Sequence, residues 1–411
     1  MAVTDDIAVP IEVDTGAADD AARALFEEAR RRRRRRYVVS AVSLLALVGL
    51  VVGILLTIGA GGRTPAPRGT TVGRGAAGPR VRSLTFSGLF TPEQVVAEAG
   101  KIWLVGSTGS SEDPSCAIEE VDPVSLRTET FPIPVCGSYV AVGEGRIFLA
   151  DGVFTGATDV TAFHIESFDT ATGTGVVMAP VDISVTGTAY AHMAMTFAAG
   201  SLWLNPWSTG VLEISPSTGA VVRTVTGVPI SGGGHPLIVG GGGGLWLAGG
   251  VASPATIYRL DSGTGTPVVF AKGPSKSSIL WLSAVGDRLW AEVGTYQDGG
   301  RDVVTRLEAF TSSGQKVVET TPERVGDLPA VSTGNHLWSS GVGTRCNGPQ
   351  RLWRIDSRTG RSVVTATLRS PVAPCLFEGD GSELAAVGQS VFVLDPTGDP
   401  AAGGVLYRIR S

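Results

Sequence analysis

Residues Gly242–Gly250 read GGGLWLAGG, a short apolar run around one tryptophan, closed by glycine at both ends. A run this short between glycine turns predicts a β-strand; a helix would need a longer stretch with a 3.6-residue period. Six further runs share the pattern: GKIWLVG (100–106), EGRIFLADG (144–152), AGSLWLNP (199–206), GDRLWAEVG (286–294), GNHLWSSGVG (334–343) and GQSVFVLDP (388–396). Their aromatic positions, Trp103, Phe148, Trp203, Trp246, Trp290, Trp338 and Phe392, are separated by 45, 55, 43, 44, 48 and 54 residues.

A second signature follows about 20 residues after each of the first six: EEVDPVSLRTETF (119–131), ESFDTATGTGVV (166–177), LEISPSTGAVV (212–222), YRLDSGTGTPVV (258–269), LEAFTSSGQKVV (307–318) and WRIDSRTGRSVV (353–364). Each reads as a hairpin whose Asp or Ser bonds back to the backbone and whose Gly accepts a positive φ. Its two arms are the third and fourth strands of a repeating unit, and a glycine-bounded run such as Leu237–Gly240 supplies the first. Seven such units predict an all-β, seven-bladed β-propeller of four-stranded blades. The last unit stops without an outer strand, while residues 82–90 (RSLTFSGLF) have that character and precede the first unit. The N-terminal strand is therefore expected to complete the final blade and remove the open edge.

Upstream, Tyr37–Gly59 is 23 residues without a charge, long enough as a helix to cross a bilayer core of about 30 Å. Arg30–Arg36 immediately precede it, and the positive-inside bias places residues 1–36 in the cytoplasm and the rest outside. The leading segment and the apolar run both exceed those of a cleaved signal peptide. The expected organisation is a cytoplasmic tail (1–36), a transmembrane helix (37–59), a flexible Gly/Pro/Arg linker (60–82) and an extracytoplasmic propeller (83–411), in a single-pass cell-membrane protein whose lipid partner is held by residues 37–59.

The chain carries a net charge of −5. The tail balances eight acids against eight bases, the linker has five arginines and no acid, and the remainder has 20 bases against 30 acids. An acidic outer domain repels phosphate backbones, so no nucleic-acid partner is expected. The four cysteines, Cys116, Cys136, Cys346 and Cys375, bracket the third and fourth strands of blades one and six. That placement predicts bridges 116–136 and 346–375 in an oxidising compartment. No CxxC spacing points to zinc.

No GxSxG, HExxH or GxxxxGK[ST] motif occurs, and Gly240–Gly244 lies between strands instead of opening a helix. His164, His192, His235 and His336 fall in different units. Glu378, Asp380 and Glu383, and the acids around 296–302, do not follow an EF-hand order. No catalytic, cofactor or metal residue is assigned, and the recurrent aromatic reads as a blade-to-blade packing element.

The segments ISPSTGAVVRTV (214–225) and YRLDSGTGTPVV (258–269) resemble the repeats of YVTN-type, NHL-type and quinoprotein-like β-propellers, over residues 83–411. In quinoprotein dehydrogenases the turn is followed by a tryptophan. Here Val, Pro or Ser follows, so the resemblance carries no quinone cofactor. The glycine-aromatic strands also look like those of the virginiamycin B lyase family, whose histidine, glutamate and metal cluster has no residue-by-residue match. The layout of tail, arginine run, span and outer domain looks like that of many actinobacterial membrane proteins. The expected function is a tethered binding or protein-interaction platform with an unidentified protein or small-molecule ligand. Two rivals are a propeller lyase or hydrolase with a central-channel site, and a signalling regulator acting through the tail.

Overall fold

The computed structural model describes residues 80–410 apart from 87–89, 111–112, 138, 156–158, 186–193, 207–209, 228–236, 242–243, 249–253, 262–263, 286, 298–301, 321–330, 335, 342–349, 369–383 and 396–403. The expected tail, the expected span at 37–59 and the linker as far as residue 79 lie outside the described residues. Among the described residues no helix is long and apolar enough to cross a membrane.

The chain enters through Arg80–Thr85 (β1). Blade one is Phe90–Glu98 (β2), Lys101–Ser110 (β3), Asp113–Val121 (β4) and Thr128–Pro132 (β5). Blade two is Tyr139–Gly143 (β6), Arg146–Thr155 (β7) and Asp159–Asp169 (β8), with a divided fourth strand, Thr174–Val177 (β9) and Val181–Val185 (β10). Blade three is Ala194–Ala198 (β11), Ser201–Asn205 (β12), Val211–Ile214 (β13) and Val221–Val225 (β14); blade four is Leu237–Gly241 (β15), Gly244–Ala248 (β16), Thr256–Leu260 (β17) and Pro267–Lys272 (β18). Blade five is Ser277–Val285 (β19), Arg288–Gln297 (β20), Asp302–Phe310 (β21) and Lys316–Thr320 (β22); blade six is Val331–Thr333 (β23), His336–Gly341 (β24), Gln350–Asp356 (β25) and Ser362–Leu368 (β26). Blade seven is Leu384–Val387 (β27), Ser390–Asp395 (β28) and Val405–Arg410 (β29), completed by β1 in the order β1-β29-β28-β27.

Closure by the N-terminal strand is thus observed, two residues earlier than its sequence suggests. The β1–β29 ladder runs from Arg80 opposite Arg410 to Thr85 opposite Val405, and the Phe86 N–H then donates to the Gly404 carbonyl at 3.2 Å. Phe90 belongs to β2 instead, because Phe86 and Phe90 both drop into the apolar cluster between blades seven and one, where their rings meet edge-on at 6.0 Å.

Each second strand has a neighbour on both sides and both faces covered by other blades, which is why it reads as a continuous apolar run. Its aromatic faces the following blade. Trp103 packs with Ile147, Leu149 and Phe168 of blade two, Trp290 with Leu337 and Ile355 of blade six, and Phe392 with Phe90 and Leu104 of blade one. Among the described residues seven buried clusters fill the seven blade interfaces, one of them joining blade seven to blade one. The fourth strands form the outer edges. Their paired valines, such as Val176 with Val177 and Val268 with Val269, are exposed and serve β-propensity more than burial.

Candidate functional site

The antiparallel order of each blade sends its first-to-second and third-to-fourth turns to one end of the ring and its other connections to the opposite end. Every first-to-second turn is two residues long. Ala99-Gly100, Glu144-Gly145 and Ala199-Gly200 each hold two successive positive φ values, the tight hairpin geometry that glycine favours. The third-to-fourth turns repeat as well: Asp169 accepts the N–H groups of Ala171 and Thr172, both at 2.9 Å, and Gly173 takes φ +69°. In blade one Leu126 occupies that position at φ +62°, its side chain held in the cluster between blades seven and one.

The opposite end is built differently. Its second-to-third connections range from 111–112 to 396–404, and its blade-to-blade connections from 273–276 to 369–383. Uniform turns at one end and connections of every length at the other separate scaffold from variable surface, as in other folds that carry recognition on loops.

The described part of the variable end centres on the connection after β5. Cys116, inside β4, is bonded to Cys136, with their Cα atoms 5.0 Å apart. The Gln94 side chain donates to the Gly137 carbonyl at 3.2 Å, and the Val135 N–H donates to the Glu166 carboxylate at 3.2 Å. Three fixings from β8, β4 and β2 hold Val135, Cys136 and Gly137 in turn, with Pro134 and Cys136 exposed. Glu166 is fully buried, and its burial pushes the carboxyl above the usual range while the Val135 N–H pulls it back. Glu119, at the equivalent place on β4, is raised by burial in the same way. At the end of β12 lies Asn205, fully buried with neither amide atom paired.

The aromatic positions offer no ligand platform. Trp103, Trp203, Trp290 and Trp338 are buried between blades, and three of the tryptophans bond five residues back: Trp103 Nε1 to Glu98 O at 3.3 Å, Trp203 Nε1 to Ala198 O at 3.1 Å and Trp338 Nε1 to Thr333 Oγ1 at 2.6 Å. His164 is exposed on β8 opposite Asp151, whereas His336 is on β24 opposite Asp356. They belong to blades two and six. His192, His235, Glu378, Asp380, Glu383, Cys346 and Cys375 lie outside the described residues, as do 298–301. Among the described residues no group of three His, Cys, Asp or Glu could hold a metal ion. The 116–136 bridge is the one the sequence predicts; sequence reading missed the bonds that Gln94 and the buried Glu166 make to the same connection, since neither shows a local motif.

No known protein family matches the sequence, and no curated protein does. Similar solved structures include the polysaccharide lyase Uly1, at 10% identity over 78% of this chain and 90% of that one, with a TM-score of 0.49. BamB from Moraxella catarrhalis matches at 12% identity over 80% and 96% of the two chains, with a TM-score of 0.41. The β-propeller domain of the Trilobed protease from Pyrococcus furiosus matches at 7% identity over 75% and 90%, with a TM-score of 0.45. At these identities the likeness is one of fold.

Proposed function

We propose that the chain is a membrane-tethered, extracytoplasmic binding platform that presents the variable end of its propeller to a protein or small-molecule partner. The observation that carries this reading is the contrast between the two ends of the ring: uniform turns at one, connections of unequal length at the other. Residues 37–59 anchor it, Arg30–Arg36 hold the tail 1–36 in the cytoplasm, and the linker, which ends at residue 79 because Arg80–Arg82 belong to β1, spaces the outer domain from the bilayer. The Cys116–Cys136 bridge supports an oxidising compartment, and Cys346 and Cys375, which flank β25 and β26, form the matching bridge of blade six.

The test replaces the loops 342–349 and 396–403 with Gly-Ser segments in one variant and the turns 311–315 and 357–361 in another, then compares crosslinked partners in intact membranes. Loss confined to the first variant supports the reading, and equal recovery from both overturns it. Because Cys346 sits in the first of these loops, non-reducing peptide mapping of the unaltered chain comes first. It is expected to recover 346–375.

A further inference from the structure

Ring closure sets arginine against arginine. Arg80 stands directly opposite Arg410, and Arg82 directly opposite Arg408, on one face of the β1–β29 pair. Higher on that face Leu84 and Leu406 enter the cluster shared with blade one. The lower half is cationic. Like charges paired across an antiparallel ladder are destabilising, so the arrangement opposes the closure it belongs to. None of the four forms an ion pair among the described residues. Arg82 and Arg408 each donate to the Val124 carbonyl, at 3.1 and 3.0 Å, and Arg408 also donates to Ser390 Oγ at 3.3 Å. These bonds fix two guanidinium groups without neutralising them. Asp122, the acid whose charge acts on Arg408, spends its Oδ1 on its own turn, accepting from the Val124 and Ser125 N–H groups and from the Ser125 hydroxyl. Arg80, Arg82 and Arg410 remain exposed.

This patch lies where the chain enters the ring. β1 starts at the short-turn end, since Arg80 and Ser390 both pair with Arg410. Only residues 60–79 separate Arg80 from the apolar run ending at Gly59, and a Gly/Pro-rich segment of that length has a root-mean-square span of about 25 Å. Among the described strands β1 is the nearest in sequence to the bilayer. We infer that Arg80, Arg82, Arg408 and Arg410 form a docking patch for anionic phospholipid headgroups, seating the short-turn end of the ring on the membrane and turning the variable end away from it. The inference deepens the anchored reading proposed above and rests on it. A flat anionic surface meets this one basic corner, whereas a nucleic acid lying across the ring would also meet its acidic remainder.

The test uses residues 78–411, which contain every described strand and all seven core clusters. Sedimentation with vesicles of phosphatidylcholine alone, or with about one-third phosphatidylglycerol, measures partition. Binding to the anionic vesicles only, weakened by salt, is expected. Each arginine contributes about fivefold, so Arg80→Gln with Arg410→Gln should lower partition about 25-fold while Lys272→Gln on blade four leaves it unchanged. The double variant relieves one like-charge pair and should melt no lower than the wild type, which separates loss of binding from loss of fold. Equal partition by wild type and double variant overturns the inference. So does binding to a DNA duplex, sensitive to the same substitutions, without binding to vesicles. Alkaline carbonate extraction of the full chain tests the anchor separately: release into the supernatant sinks the anchored reading and leaves the vesicle result to stand alone.

Discussion

The Val135 N–H, on the connection after β5, donates to the Glu166 carboxylate of blade two at 3.2 Å, a hydrogen bond made inside the protein. The second carboxylate oxygen has no partner and lies where a Cβ at Gly175 would fall, so glycine is required there by close approach and not by its φ. Burial raises the pKa of this carboxyl. A carboxyl that holds its proton more tightly in the folded state contributes stability that is full below about pH 4.3 and lost as pH rises through the folded value. Glu166→Gln cannot ionise and should escape that loss. Urea midpoints are expected to fall less between about pH 5 and pH 8 in the variant, leaving it more stable at the upper end by on the order of 1 kcal/mol. Parallel curves would show that Glu166 does not titrate in this window.

The turn aspartates push the other way. Asp122, Asp169 and Asp356 are held below the usual range, first by backbone N–H bonds from Ser125, Thr172 and Thr359 respectively. Depressed carboxyls contribute stability that is present above about pH 3.9 and lost as pH falls through the folded values. Replacing all three with Asn keeps an acceptor oxygen and removes the charge. Denaturation between about pH 2 and pH 5 should show a shallower acid limb in the triple variant. An unchanged slope would mean that these turns do not govern acid unfolding.

Much of the ring is legible in the sequence because each turn has a local chemical cause. Gly173, Gly219, Gly265, Gly314 and Gly360 all take positive φ where the repeats place them. The failures are non-local. Residues 82–85 read as the closing strand, but Arg80 and Val81 resemble tether, and only the ladder with β29, more than 300 residues later, makes them part of that strand. The divided fourth strand of blade two has a chemical cause too: Pro180 offers no N–H to the ladder, so β9 stops at Val177 and pairing resumes at Val181. Glu166 escaped notice since a glutamate before an aspartate turn reads as solvated, and its burial depends on blade one. The arginine pairs did leave a signal, two arginines at period two near each end of the ring. Their meeting could be read only after the closing register was known.

That closing register gives a direct test of the architecture. Deleting Arg80–Thr85 removes every backbone bond to the outer side of β29 and exposes it as an edge, while Leu84 leaves the cluster between blades seven and one. Thermal melts should lose their single cooperative transition, and light scattering should rise on heating. Deleting Gly61–Gly69 should change neither, since that Gly/Pro/Arg segment has no apolar pattern to bury. Identical behaviour of the two deletions would mean that β1 adds nothing to the ring.

The tryptophans separate hydrogen bonding from packing within one repeated position. Trp203 and Trp246 occupy the same place in blades three and four, both nearly fully buried between blades. Trp203 Nε1 donates to Ala198 O at 3.1 Å, and the Arg223 guanidinium lies 5.5 Å from its ring centroid. Trp246 Nε1 is buried with no partner, as is Trp290 Nε1 in blade five, and the residue five back from Trp246 is Gly241 at φ +148°. Phenylalanine already fills this position in blades two and seven, as Phe148 and Phe392, so the site accepts the smaller ring. Trp203→Phe should lose the hydrogen bond to the Ala198 carbonyl and the cation contact. Trp246→Phe removes an unsatisfied donor along with the ring volume. Both lose similar packing, so the difference isolates the polar part: Trp203→Phe should be less stable than Trp246→Phe by about 1–2 kcal/mol in urea unfolding. The reverse order would mean that Trp246 Nε1 finds a partner in solution, and that the polar contacts of Trp203 contribute less than the packing difference between the two sites.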